Sequence, residues 1–278
     1  MCMRFKITFR TEDKSLRNII PLSYQYELSA WIYSIIQSGN PLFARWLHEK
    51  GYILNGKSFK LFTFSRLQIP RNQFQISEDR LIVKRGDVAF YISFLLENAA
   101  EPFIMGLFRN QEMILGDRIS KAAFMVNTVE RLSDPIFKDT MSFSTLSPIV
   151  INKFDGKNGI FLKPDHPEYE NLFFQNMVRK YVAMTVIHGD NKDPDTSDSA
   201  ITRFELLTEP KSKLVVIKSG TAQETKIRGY MFEFKLTAPA TLIRTGYYAG
   251  FGEKNSLGFG CVDIIPDLPG FKNLEGLK

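Results

Sequence analysis

The chain has 278 residues, 44% of them hydrophobic and 24% charged, with 36 Lys and Arg against 30 Asp and Glu for a net charge of +6. That composition is globular, large enough for two ordinary domains, and excludes a disordered or collagen-like chain. Cys2 and Cys261 are far apart and form no CxxC pair, so neither a disulfide framework nor a zinc ribbon is expected, and a reducing cytoplasm fits. No apolar run reaches the ~18 residues of a membrane span, and the N-terminus enters a strand-like alternation rather than a signal-peptide core. Three histidines without an HExxH leave little for a catalytic metal, and neither a cofactor nor a metal is expected. The basic balance suits a polyanionic partner.

Residues 3–10 alternate apolar and basic and predict a strand with one wet, positive face. Leu28, Trp31, Ile32, Ile35 and Ile36 fall at helical spacing over 23–37, and a second helix over 41–50 has Pro41 at its first position and Gly51 as its cap. Strands are expected at 59–67 and near 80–85, a helix over 88–100 capped by Asp87, and strand again over 112–131. This β-α-β-β-α-β order is ferredoxin-like, with an extra helix.

A second round predicts a strand from 142, a helix over 168–187, strands near 203–208, 212–218 and 226–237, a helix over 238–248 and a last strand over 257–265. Residues after Pro266 read as a loose terminus. The expected fold is α+β: two tandem ferredoxin-like domains, 1–133 and 134–278, joined near Leu132-Ser133-Asp134-Pro135, each an antiparallel sheet with helices on one face.

Near the C-terminus, Gly250-Phe251-Gly252-Glu253-Lys254-Asn255-Ser256-Leu257-Gly258-Phe259-Gly260 sets two Gly-Phe-Gly units around a short polar turn. Such glycines allow positive φ and bare the backbone N–H groups, as a loop lying against phosphate or sugar requires, while the phenylalanines pin it to a core. It is neither a P-loop nor a GxGxxG turn, so a mononucleotide is not the expected ligand.

Together with Thr145-Leu146-Ser147-Pro148-Ile149, Pro21-Leu22-Ser23-Tyr24-Gln25-Tyr26, His48-Glu49-Lys50-Gly51 and Lys60-Leu61-Phe62-Thr63-Phe64-Ser65, this loop resembles the CRISPR-associated endoribonucleases that cut precursor CRISPR RNA within its repeats. The resemblance spans nearly the whole chain and implies RRM-related domains with repeat RNA at or across the cleft between them. It also implies a catalytic set of Tyr33, His48 and Lys60, with Lys57 competing for the lysine role because residues 52–56 lengthen the loop before it.

Metal-free cleavage by the ribose 2′-OH needs a base, an acid and a cation beside the phosphorane, and these three side-chain types supply them. The implied products are a 2′,3′-cyclic phosphate and a 5′-hydroxyl. Taken without the resemblance, His48 reads as a helix-end cation, Tyr33 as a core tyrosine and the lysines as strand-edge charges. His166 and His188 read as loop histidines without a role.

For RNA contact the loop offers Gly250, Gly252, Lys254, Asn255, Ser256, Gly258 and Gly260, and the strands offer Lys226 and Arg228 among a wider set including Arg4, Lys6 and Arg10. The alternative is a module that holds CRISPR RNA without cutting it, and a small-ligand ferredoxin-like protein is a more distant third. The sequence leaves open a homodimer and association with effector-complex subunits.

Overall fold

The computed structural model describes residues 2–12, 18–154, 156, 159–188 and 202–266. The first sheet runs, edge to edge, Phe62–Phe64, Asp87–Phe94, Met3–Thr11, Lys121–Arg131 and Glu112–Gly116, antiparallel throughout. Its registration follows from side-chain alternation. Phe5 pairs with Ile92, Ile7 with Phe90 and Phe9 with Val88, so the apolar members of two strands fall on one face and are buried.

Helix α1 (Gln25–Gly39) covers that face with Leu28, Trp31, Ile32, Ile35 and Ile36, and Trp31 meets Phe9, Phe90 and Phe103 edge to face. Helix α2 (Pro41–Glu49) starts at Asn40, whose side chain accepts from the Phe43 amide at 3.0 Å. Helix α3 (Glu97–Arg109) completes the layer.

The second sheet runs Arg203–Leu206, Glu233–Thr237, Thr140–Thr145 and Val262–Ile265. Helices α4 (Tyr169–His188) and α5 (Ala240–Ala249) accompany it. In each sheet the first strand of the unit lies between its third and fourth, the second being at the edge, so both units carry the ferredoxin-like topology. The additions to the first include α2, the Glu112–Gly116 edge strand and a separate small sheet of Ile19–Pro21, Arg80–Val83 and Phe74–Ser77, so the strand expected near 80–85 lies outside the main sheet. Those to the second include the hairpins of Asn152–Phe154 with Gly159–Phe161 and of Lys211–Ile217 with Thr225–Met231.

The helix expected over 88–100 is instead the inner strand Asp87–Phe94 followed by α3. Val88, Phe90 and Ile92 alternate with Ala89, Tyr91 and Ser93, and that two-residue period, not the apolar content, decides the element. Asp87 caps nothing and faces Arg10 at 3.9 Å. The strand expected over 59–67 shrinks to Phe62–Phe64, because Tyr52–Leu54 and Lys57–Phe59 form a hairpin of their own. His188 ends α4 rather than lying in a loop, and the terminus after Pro266 lies outside the described residues.

One apolar cluster runs through both units, from Phe5 and Phe90 to Phe143, Phe234 and Phe251. The wet, positive face expected for the first strand is therefore wet only at one end. Arg10 is exposed, but Arg4 is 2% exposed beneath the second unit. Its guanidinium lies between the rings of Tyr247, 4.5 Å away, and Tyr91, 5.3 Å away, and donates to the Val262 carbonyl at 2.7 Å. Truncation of such a seam residue leaves a cavity and an orphaned carbonyl. Arg4→Ala is expected to lower unfolding free energy by about 2–4 kcal/mol in urea titration; a loss under about 0.5 kcal/mol, the range of ordinary surface changes, would show that the seam does not depend on it.

Candidate active site

Tyr33 projects from α1, His48 from the last turn of α2, and Lys60 follows the inserted hairpin. The fold brings all three together. The Tyr33 and His48 rings meet edge to face at 5.3 Å, and Tyr33 also rests its edge against Phe62 at 5.7 Å. Lys60 Nζ donates to the His48 backbone carbonyl at 2.9 Å, which binds the lysine to the helix end that carries the imidazole.

Gly51 makes this approach possible: its φ is +63°, and a Cβ there would stand 2.6 Å from the Phe59 carbonyl oxygen and 2.9 Å from Lys60 Cδ. The competing Lys57 pairs with Leu54 across the exposed end of the hairpin. The imidazole of His48 is exposed, whereas Tyr33 is half-buried. Burial pushes the Tyr33 phenol up to about 12, and a hydrogen bond with Ser256 moderates the rise. Burial also lowers Lys60 below an ordinary lysine.

Ser256 belongs to the glycine-rich loop, which sits directly on these elements. Ser29 Oγ of α1 donates to the Ser256 carbonyl at 2.6 Å, and Thr63 Oγ1 donates to the Phe259 carbonyl at 2.9 Å. Gly258, at φ +84°, lies so close to the Phe64 ring that a Cβ would stand 2.7 Å from it. As the sequence suggests, Phe251 and Phe259 are buried anchors, Phe251 stacked on Phe173 at 5.5 Å.

The loop's candidate RNA contacts divide into two groups. Gly252, Lys254, Asn255 and Ser256 line an open cleft of about 330 Å³ together with Lys57, Lys60 and the α4 residues described below. Gly250, Gly258 and Gly260 are buried behind them, and the amides of Gly258 and Gly260 already donate to the carbonyls of Asn255 and Pro148. These glycines shape the loop; they do not bare its donors to the cleft. Asn255 closes the loop, its Nδ2 donating to the carbonyls of Phe251 at 3.1 Å and Phe259 at 3.0 Å. Lys226 and Arg228 lie on the far hairpin, exposed and outside this cleft, with Arg228 bonded to Ser212 at 2.8 Å.

Sequence reasoning missed the wall that α4 contributes: Asn176, Arg179 and Lys180. They recur at i, i+3 and i+4 and so share one helix face, a polar stripe whose spacing is present in the sequence. Lys180 is 2% exposed and ties the loop down, its Nζ donating to the carbonyls of Gly250 and, at 2.6 Å, Gly252. Burial pushes its ammonium down to about 7 against the opposing pull of Glu253, and either protonation state supplies both donors. Among the described residues no group of three or more His, Cys, Asp or Glu stands together as a metal site, and no helix is long and apolar enough to cross a membrane.

Comparison with known proteins bears directly on this arrangement. Residues 19–130 match the family described as CRISPR-associated protein Cas6, N-terminal, and residues 132–264 match CRISPR associated protein Cas6, C-terminal. The CRISPR-associated endoribonuclease Cas6 of Pyrococcus furiosus is 31% identical over 94% of this chain and 90% of its own length. CRISPR-associated endoribonuclease Cas6 1 of Methanocaldococcus jannaschii is 32% identical over 95% of this chain and 94% of its own. Among solved structures, one described as an RAMP protein binding different RNA substrates superposes with a TM-score of 0.74 at 25% identity, covering 95% of this chain and all of that one. The chain belongs to the Cas6 family of CRISPR-associated proteins.

Proposed function

We propose that the chain is an endoribonuclease that cuts CRISPR repeat RNA at the cleft between its two domains. The observation that carries this reading is the convergence of Tyr33, His48 and Lys60 beside a cleft whose walls hold Lys57, Arg179 and Lys254. Four accessible cations, Lys57, Lys60, Arg179 and Lys254, against the one carboxylate of Glu253, suit a phosphodiester backbone. The relatives that bear the name of CRISPR-associated endoribonucleases support the same substrate.

The ribose 2′-oxygen attacks the adjacent phosphorus, the bond to the 5′-oxygen breaks, and a 2′,3′-cyclic phosphate and a 5′-hydroxyl result. His48, exposed at the end of α2, takes the 2′ proton. Tyr33, held protonated by its buried setting, gives its proton to the departing 5′-oxygen. Lys60 spends one N–H on the His48 carbonyl and keeps two for the nonbridging phosphate oxygens. Ser256 holds the Tyr33 hydroxyl from the loop side.

His48→Ala should cut the single-turnover rate by about 10²–10⁴-fold while repeat-RNA affinity stays within about twofold; an unchanged rate would remove His48 from the chemistry, and RNA that is shifted but left whole by the unaltered protein would mark a binding module. The division of roles has a pH signature. A tyrosine base at about 12 would make the rate climb about tenfold per pH unit from neutrality, whereas the proton donor proposed here stays loaded and gives no such climb. Lys60, lowered by burial, loses its charge as pH rises through that lowered value, so the alkaline fall in rate should move upward in Lys60→Arg. Excess chelator should leave the rate unchanged, since each role is filled by a side chain; a loss restored by magnesium would overturn the scheme.

A further inference from the structure

The α4 wall gives the cleft a cation that no carboxylate neutralises among the described residues. Arg179 is half-buried in that wall, and its one hydrogen bond, from Nη2 to Gln175 Oε1 at 3.3 Å, goes to a neutral amide. Nη1 and Nε meet no partner among the described residues, yet neither is one of the buried unpartnered atoms, so solvent reaches both. Glu253, which lines the same cleft, forms no ion pair with Arg179 and acts on Lys180 instead. A partly desolvated guanidinium is ordinarily compensated by an anion, and here that anion has to enter from the cleft.

The shape of the group says which anion. The second N–H of Nη2 lies beside an N–H of Nη1 or the one on Nε, whichever side is spent on Gln175, so a two-pronged donor remains in either case. Two parallel N–H groups match two oxygens on one phosphorus, whereas the ammonium groups of Lys57 and Lys254, exposed on the other walls, meet a phosphate as point charges. Position says which phosphate. Arg179 and Lys60 line one cleft of about 330 Å³, at the small end of ligand pockets, which takes a splayed nucleotide rather than a duplex. With Lys60 on the reacting phosphate, the phosphate within reach of Arg179 is the next one along the strand.

We propose that Arg179 grips, through two N–H groups, the phosphate adjacent to the cleaved one. This rests on the cleft being the place of cleavage. It gives the second domain a direct hold on the strand whose chemistry the first domain carries.

The test uses the repeat RNA that the unaltered protein cuts, made 2′-deoxy at the cleaved nucleotide so that it stays whole during binding. Single methylphosphonates, each removing one phosphate charge, are walked along the linkages on either side of the cleaved bond, each compared with an RNA of the same sugars and an ordinary phosphate. At one adjacent linkage the unaltered protein should lose about tenfold in affinity, the worth of a charge-assisted hydrogen bond. Arg179→Gln should weaken binding of the charged RNA by a similar factor, lower the log–log salt slope by about 0.7, and abolish the difference between charged and neutralised RNA. Arg179→Lys should keep the slope and lose part of the affinity, since the charge remains and the fork does not. A merely structural role would weaken both RNAs alike at an unchanged slope and overturn the proposal. A loss confined to the saturating single-turnover rate on cleavable RNA would also overturn it, by putting Arg179 on the reacting phosphate. If Arg179→Gln fails to fold, Arg179→Lys still decides, because affinity within twofold of the unaltered protein would show that no fork is made. Repeat RNA left whole by the unaltered protein would instead defeat the endoribonuclease reading itself, and the placing of this phosphate with it.

Discussion

The seating of the 250–260 loop on the Phe62–Phe64 strand is the constraint on which the site depends. Side chains from outside the loop donate to its carbonyls: Ser29 to Ser256, Thr63 to Phe259, and Lys180 to Gly250 and Gly252. Buried carbonyls left unpaired would each be costly, so these donors fix the loop's path as firmly as a strand pairing would. The absence of side chains at the glycines lets the loop approach Phe64 and its neighbours closely enough for those bonds to form. Displacing the loop would move Ser256 off Tyr33 and open one wall of the cleft.

Two cations in a basic chain therefore serve architecture before RNA. Arg4 is held between two tyrosine rings in the seam, and Lys180 is buried beneath the loop. A planar guanidinium tolerates this aromatic setting because it is weakly hydrated. The lysine yields differently, its affinity for a proton falling until the neutral amine is within reach at ordinary pH. Net charge reveals neither choice, since it counts both cations as surface.

Much of the fold was legible because the apolar periods were clean: α1, α2, α4 and α5 fall near their expected spans, and the order of elements repeats. The exception is instructive. Residues 88–94 are followed directly by Leu95 and Leu96 and then by Ala99 and Ala100, so a strand and a helix share one unbroken apolar run, and the helical stretch lent its period to the strand before it. The candidate site was named by family resemblance and not by spacing, because Tyr33, His48 and Lys60 lie on three elements whose meeting depends on the Gly51 turn and the inserted hairpin. Asn176, Arg179 and Lys180 were invisible for a different reason. Each is a plausible surface or core residue of its own helix, and only docking of α4 against the first domain turns their shared face into a cleft wall.

That docking explains why the seam is apolar and continuous rather than a wet hinge. In the proposed scheme the first domain carries the groups that move protons, while the second supplies the loop that bonds Tyr33 and the α4 wall of the cleft. Reaction rates respond to displacements of about 1 Å in reacting groups, so a site divided between two bodies works only if their relation is fixed before substrate arrives. Ordering them at each encounter would draw on binding free energy. The shared core, the Arg4 sandwich and the carbonyl-bonded loop meet that requirement in the free protein, leaving the interactions with RNA to position the strand and stabilise the phosphorane.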